Sequence, residues 1–434
     1  MELTRGKQLA ARLRQVVPGG CHTYAKGDDQ YPELSPALIA RGRGCHVWDV
    51  DGNEFIEYGM GLRAVTLGHA YPKVVEAVRA SLELGTNFTR PAPEELACAE
   101  AFLSLIQGAE MVKFTKDGST ANTAALKLAR RATGRELVAI CGDHPFFSYD
   151  DWFICTTTSD GGIPRVFYDQ TVQFHYNDLA SLRALFAAHP GKIAAVFLEP
   201  ARIDEPAPGF LAELVALSHA EGAAVIFDET ITGFRWHLRG AQGLYGVTPD
   251  MSIFGKGMAN GFSQSALAGK REFMHWGGRD RDEDVFLLST THGTETPAVV
   301  AAIATMEVYR TEPVVEHLHR AGARLAEGLR QASARHGLTK HVMPVGRACN
   351  LFFGTRDRDG HPSQPFRTLF LQELIKRGVL GPSFVVSYSH RDEDIDRTID
   401  AVDGALAVYA RAMSAGSVDG LLVGSPSRPV FGRR

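Results

Sequence analysis

From about residue 67, short unbroken apolar runs alternate with stretches in which apolar residues recur every three or four positions. The runs MVKFT (111–115), LVAIC (137–141), AAVFL (194–198), AAVIF (223–227), MSIF (251–254), ALAG (266–269) and VFLLST (285–290) read as strands. They are continuous rather than alternating, which suits strands covered on both faces, as in a mostly parallel sheet. The periodic stretches 119–131, 178–188 and 209–221 read as helices between them. The alternation predicts an α/β domain built from right-handed crossovers.

The flanks have a different texture. Residues 1–17 read as a helix stopped by Pro18-Gly19-Gly20, and CHVWDVDGNEFIEYG (45–59) as a hairpin turning at Asp51-Gly52-Asn53. Long helices are expected at 296–309 and 314–336, and the last hundred residues mix helices with strands at HVMPV, NLFFG and FVVSYS. The expected organisation is a segment 1–66 that packs with the small domain, a large domain over 67–312 and a C-terminal small α+β domain over 313–434. The Gly-, Ser- and Pro-rich tail from Ser414 is expected to be irregular.

Composition narrows the function classes. A chain of 434 residues, 44% hydrophobic and 22% charged, can bury a large core. A net charge of -4 argues against nucleic acid as a partner. No apolar run approaches the roughly 18 residues a membrane helix needs, and the charged N-terminus lacks the apolar core of a secretory signal. Six scattered cysteines without CxxC spacing argue against a metal site and for a reducing cytoplasm.

Four segments carry candidate chemistry. In FGKGMANG (254–261), Lys256 follows a buried strand between two glycines; it is either a turn lysine or an amine whose pKa desolvation lowers for Schiff-base work. In AAVIFDETITGFR (223–235), Asp228 ends a buried strand, where open α/β sheets bind ligands, and it either caps the next helix or holds a cationic ring nitrogen. In FTKDGSTANTAALKLARR (114–131), Gly118, Ser119 and Thr120 open a helix whose free N–H groups favour a phosphate; the spacing is not that of a Walker loop. In VFLEP (196–200), Glu199 closes another strand. A dinucleotide-dependent dehydrogenase needs a GxGxxG turn, which DGSTAN lacks.

Taken together, in this order and at strand ends, these segments resemble the class III (subgroup II) pyridoxal-phosphate (PLP) aminotransferases of fold type I, closest in pattern to the branch around glutamate-1-semialdehyde aminomutase. DETITGFR and FGKGMANGFS, with Asp228 and Lys256 28 residues apart, carry the resemblance, which runs from Pro18-Gly19-Gly20 to SHRDEDID (389–396). It implies a large domain with a mostly parallel seven-stranded sheet and a smaller α+β domain. It implies that Lys256 holds the cofactor and moves the proton, that Asp228 pairs with the pyridine nitrogen and that Gly118, Ser119 and Thr120 bind its phosphate. By the same resemblance Glu199 lies near the ring's hydroxyl side. Thr291, in STTHGTET (289–296), reaches the phosphate of a neighbouring subunit, which implies a homodimer with shared active sites. Phe146, in GDHPFFSYDDWF (142–153), is the candidate stacking ring; simple core packing is the alternative for Phe146 and Phe147.

Two departures from the aminomutase bear on substrate. The loop after Pro18-Gly19-Gly20 reads CHTYAKGDDQYP (21–32) and has no arginine, and GPSFVVSYSH (381–390) lacks the aminomutase's glutamate. His22, Tyr24 and Lys26 make the first loop either a hydroxyl-friendly substrate surface or an ordinary exposed loop. HTYAKGDDQ and HPFFSYDDWF resemble aminotransferases of aminosugar, aminoglycoside and surface-polysaccharide pathways. That resemblance implies a small-molecule amino donor, L-glutamate or L-glutamine, and a sugar- or cyclitol-like carbonyl acceptor. An aminomutase or epimerase using the same lysine is the alternative.

Overall fold

A computed structural model describes residues 1–279, 283 and 285–428. The chain divides into two compact units: Met1–Tyr71 with the stretch that begins at Glu316, and the central stretch Pro72–Val315.

The central unit is an α/β sandwich around a seven-stranded sheet. Its strands are β1 (Met111–Thr115), β2 (Leu137–Cys141), β3 (Thr171–Phe174), β4 (Ile193–Leu198), β5 (Ala224–Asp228), β6 (Met251–Phe254) and β7 (Ser265–Gly269). They lie in the order β1-β7-β6-β5-β4-β2-β3. Strands β2 to β6 pair in parallel, and β7 runs antiparallel to both β6 and β1.

The unbroken apolar runs are explained by cover on both faces. In β4, Ala195 and Phe197 join one core with the helix α1 (Gly118–Thr133), while Val196 and Leu198 join a second core with the helices Leu179–Ala188 and Phe210–Ala220. α1 begins at the N-cap Asp117 and ends where Gly134 turns left-handed at φ 67°. Its alanines let the helix lie close on the sheet.

One expected strand is absent and another takes its place. Residues 285–290 form no strand: Leu287 and Leu288 pack against the α1-side core, so the run is apolar for packing and not for pairing. The edge strand is instead TVQF, β3, where a mixture of buried and exposed positions hides the pattern.

The first unit holds the helix Thr4–Val16, stopped by a 3-10 turn at Pro18–Gly20, and the expected hairpin of His46–Asp49 and Glu54–Glu57. A strand at Ile39–Arg43 extends the hairpin on one side and Val379–Leu380 on the other. Val342–Val345 and Phe352–Thr355 form a separate antiparallel pair. FVVSYS is not a strand; Phe384 makes only an isolated bridge to Leu351.

Asp394, in the first turn of the helix Asp392–Ala415, fastens that helix to the hairpin. Its carboxylate accepts the Arg391 N–H (3.0 Å) and the Cys45 thiol (3.3 Å) and lies 2.9 Å from His46 Nε2. After Gly416 the tail is irregular, and the Arg428 N–H bonds the Asp29 carbonyl at 2.8 Å. Residues 429–434 of the tail lie outside the described residues. Among the described residues no helix is long and apolar enough to cross a membrane.

Candidate active site

The carboxyl ends of β4, β5 and β6, three neighbours in the sheet, carry Glu199, Asp228 and Lys256 in that order. This is the edge where open α/β sheets bind ligands.

Lys256 follows β6 by one residue and opens a single 3-10 turn, Lys256–Ala259. Its φ is 44°, in the left-handed region that non-glycine residues enter at a cost of about 1–3 kcal/mol. The turn is pinned by Tyr309, whose hydroxyl donates to the Gly257 carbonyl at 2.9 Å. Tyr309 belongs to the helix Thr296–Thr311.

Asp228 is buried as the last residue of β5. One carboxylate oxygen accepts the Thr230 N–H at 2.9 Å, and the other accepts the Asn122 side-chain amide at 2.9 Å. No helix starts beside it, so it caps none; the next is Gly240–Tyr245. Its neighbour Glu229 is fully buried and serves that helix. The Glu229 carboxylate accepts the N–H groups of Ala241 (2.8 Å) and Gln242 (2.7 Å) and the Thr232 hydroxyl. Burial pushes the Glu229 pKa up to about 7.

At the start of α1, Asp117 turns its carboxylate back on its own helix. It accepts the Thr120 N–H at 2.7 Å and the Thr120 hydroxyl at 3.1 Å. Thr120 is thus committed to the cap, and the amides of Gly118 and Ser119 remain as the leading donors of a helix that has no preceding turn to accept from them. Gly118 lies against Thr230: a Cβ at residue 118 would sit 3.1 Å from the Thr230 hydroxyl oxygen. That hydroxyl is buried and has no hydrogen-bond partner.

The segment 142–153 is bonded to α1, through Asn122 to the Phe147 carbonyl (2.8 Å) and through the Trp152 indole N–H to the Thr123 hydroxyl (2.8 Å). Phe147 is buried in the core with Phe153 and Phe197, whereas Phe146 is 37% exposed and meets Phe153 edge-on at 5.6 Å. Core packing therefore describes Phe147 and not Phe146. His144 is buried, and its Nδ1 accepts the Glu199 N–H at 2.9 Å, which leaves the neutral ring's proton on Nε2. Thr291 is exposed in the turn before Thr296–Thr311, and its carbonyl accepts the Asn87 amide at 3.0 Å. In the first unit, His22, Tyr24 and Lys26 are exposed in and around a 3-10 turn at Tyr24–Lys26.

A family model, the class-III aminotransferases, matches residues 27–406. The chain belongs to this family. It is a PLP-dependent aminotransferase of fold type I, in the glutamate-1-semialdehyde aminomutase-like branch. Glutamate-1-semialdehyde 2,1-aminomutase of Desulfitobacterium hafniense (strain DSM 10664 / DCB-2) is 33% identical over 424 residues, covering 91% of this chain and 96% of that protein. The 3-aminobutyryl-CoA aminotransferase of Cloacimonas acidaminovorans (strain Evry) is 30% identical over 417 residues, covering 94% and 98%. Among solved structures, the FumI protein of Sphingopyxis sp. MTA144, in its PLP internal aldimine form, superposes with a TM-score of 0.87 at 28% identity, covering 97% of this chain and all of that one.

The residues of this class-III aminotransferase fit the cofactor its family uses. The leading amides of α1 and the partnerless Thr230 hydroxyl beside Gly118 are donors that a phosphate would accept. Asp228 offers a buried carboxylate for a ring N–H, and Lys256 an amine at the next strand end. Asn122, Thr230 and His144, which the structure sets beside Asp228, Gly118 and Glu199, do not stand out in the sequence as candidates. Asn122 had a readable signal, since it lies one helical turn after Ser119 and so on the same face of α1.

Proposed function

We propose that the chain moves the amino group of L-glutamate or L-glutamine to the aldehyde or ketone of a sugar- or cyclitol-like acceptor, in aminoglycoside, aminosugar or related secondary-metabolite biosynthesis. The observation that carries the chemistry is the row of Glu199, Asp228 and Lys256 on adjacent strand ends beside the Gly118–Ser119 turn. PLP, when bound, supplies an electron sink and holds the amino group between the two half-reactions.

The chain's own groups do the rest. The Lys256 Nζ would hold the cofactor, and as a free amine it would take the proton from the amine-bearing carbon of the donor and, carrying it as an ammonium, give it back to the reacting amino compound. Asp228, held by Asn122 and the Thr230 N–H, keeps the facing ring nitrogen protonated. The amides of Gly118 and Ser119, with Ser119's hydroxyl, bind the phosphate. Phe146 would cover one face of the ring, and Glu199 would stand on its hydroxyl side. Thr291 serves the phosphate of the neighbouring subunit, so the working form is a homodimer with two shared sites. The six cysteines are all free thiols, which suits a reducing cytoplasm.

The acceptor class rests on the loop 21–32, which presents His22, Tyr24 and Lys26 to solvent and contains no arginine to grip an amino-aldehyde acid. The relative at 33% identity favours a second reading, an aminomutase that returns the amino group to the same molecule. A screen of oxidised sugars, cyclitols and amino-acid aldehydes with L-glutamate as donor separates the two. Aminated sugar with stoichiometric 2-oxoglutarate supports the proposal; turnover confined to amino-acid aldehydes, with no 2-oxo-acid released, overturns it. In parallel, Lys256→Ala is expected to abolish both turnover and the visible absorbance near roughly 410–430 nm that a lysine-bound cofactor gives.

A further inference from the structure

An amino-acid donor brings a carboxylate into the site, and that charge needs a cation. The loop 21–32 has no arginine. Lys256 is assigned to the cofactor. Lys116, beside the phosphate turn, is taken up by Glu295 at 2.8 Å and by the Ser263 carbonyl at 2.9 Å. We propose that Arg202, three residues beyond Glu199, is the residue that binds a carboxylate of the amino donor. The inference rests on the transaminase reading above and adds the residue that selects its donor.

Three observations support it. The first is position. Glu199 and Arg202 follow β4 at its carboxyl end, next to the strand that ends in Asp228. The second is unspent donor capacity. Arg202 Nε is buried without a hydrogen-bond partner, and its ion-pair partner, Glu199 Oε1, is 3.9 Å away. Charge-assisted N–H···O bonds close to about 2.7–2.9 Å, so Glu199 neutralises Arg202 without saturating it. The side chain is 27% exposed, so Arg202 is not sealed off from solvent although its Nε is buried.

The third is that the backbone carrying Arg202 is tied down. The Tyr176 hydroxyl donates to the Pro200 carbonyl at 2.7 Å, and the Asn177 side chain bonds the Glu205 carbonyl at 3.0 Å and the Ala207 N–H at 2.8 Å. A planar fork of donors on a fixed loop matches a carboxylate in two-pronged fashion, which a lysine does only as a point charge.

The test uses the intact holoenzyme and the variants Arg202→Met and Arg202→Lys. Glutarate, an unreactive dicarboxylate, is titrated by calorimetry. The donor half-reaction is followed by cofactor absorbance with L-glutamate and with 1-phenylethylamine, which has no carboxylate. Loss of a charged hydrogen-bonded partner predicts that Arg202→Met weakens glutarate binding about 30-fold or more. The preference for L-glutamate over 1-phenylethylamine should fall by a similar factor, and Arg202→Lys should recover part of both. Glutarate binding that is undetectable in the wild type, or equal in wild type and Arg202→Met, overturns the proposal. An enzyme that binds glutarate through Arg202 yet never releases a 2-oxo acid would keep the inference and remove the transaminase reading.

Discussion

The side-chain amide nitrogen of Asn122 bonds two acceptors at once, the Asp228 carboxylate at 2.9 Å and the Phe147 carbonyl at 2.8 Å. It ties the acid at the end of β5 to the segment that carries Phe146, from a helix that begins with the Gly118–Ser119 turn. One short side chain thus sets the spacing between three parts of the site.

Asn122→Ala should therefore impair more than one property. Asp228 would keep only the Thr230 N–H, and the Phe147 carbonyl would lose its donor. A hydrogen bond to a charged group contributes about 1.5–3 kcal/mol, so the rate of the donor half-reaction should fall about 10- to 100-fold and the cofactor should dissociate faster. Stopped-flow absorbance and the rate of PLP release into a PLP-trapping reagent measure the two. A variant that loses neither shows that Asp228 is held without Asn122.

Thr230→Val separates holding the cofactor from holding the fold. The Thr230 hydroxyl is buried without a partner, a desolvation cost that valine of similar shape removes. Cofactor-free Thr230→Val should melt no lower than cofactor-free wild type, while its Kd for PLP should rise about 10-fold through loss of a hydrogen bond to the phosphate. Equal PLP affinity would remove Thr230 from the phosphate cradle.

How much of this was legible in the sequence depended on how local the cause was. Lys256 and Asp228 stand out in the sequence because one closely follows and the other ends a continuous buried run, and the structure places both at neighbouring strand ends. The sequence does not reveal which way the Asp117 carboxylate turns; in the structure it accepts from both the N–H and the hydroxyl of Thr120. The strand at 285–290 failed because apolar content does not distinguish pairing from packing, and β3 was missed because its exposed positions break the pattern. Arg202 was silent because its meaning lies in a distance to Glu199.

In the first unit, Asp394 joins a helix start to the hairpin through Arg391, Cys45 and His46. The His46 side chain and the Arg391 N–H hold its carboxyl well below the usual range, against the opposing effect of burial. A depressed carboxyl contributes stability that is present above its unfolded pKa of about 3.9 and is lost as pH falls through the folded value. Asp394→Asn should thus lower Tm by several degrees at pH 7, and the deficit should shrink in acid. Thermal unfolding of both proteins at pH 7 and at about pH 2, inside the range where the contribution is lost, measures it. A constant deficit would mean that the carboxylate's charge is not what holds the helix to the hairpin.

Glu229 gives a pH dependence of opposite sign. Its carboxyl is fully buried beside Asp228, and burial raises its pKa from 4.5 to about 7 despite the donors of Ala241, Gln242 and Thr232. Gly240 allows the close approach, since its φ of 75° and missing side chain leave room where a Cβ would fall 2.8 Å from the carboxylate. Between those two pKa values the folded protein binds a proton that the unfolded chain has released, so stability falls as pH rises through this window. A shift of this size corresponds to something on the order of 3 kcal/mol across the interval. Glu229→Gln cannot ionise. It should start less stable in acid, because its amide group faces N–H donors, but should lose less stability than the wild type between pH 4.5 and 7.5. Denaturant unfolding of the cofactor-free proteins at those two pH values gives the comparison directly. Parallel slopes for the two would place the titration elsewhere and leave Glu229 ionised throughout.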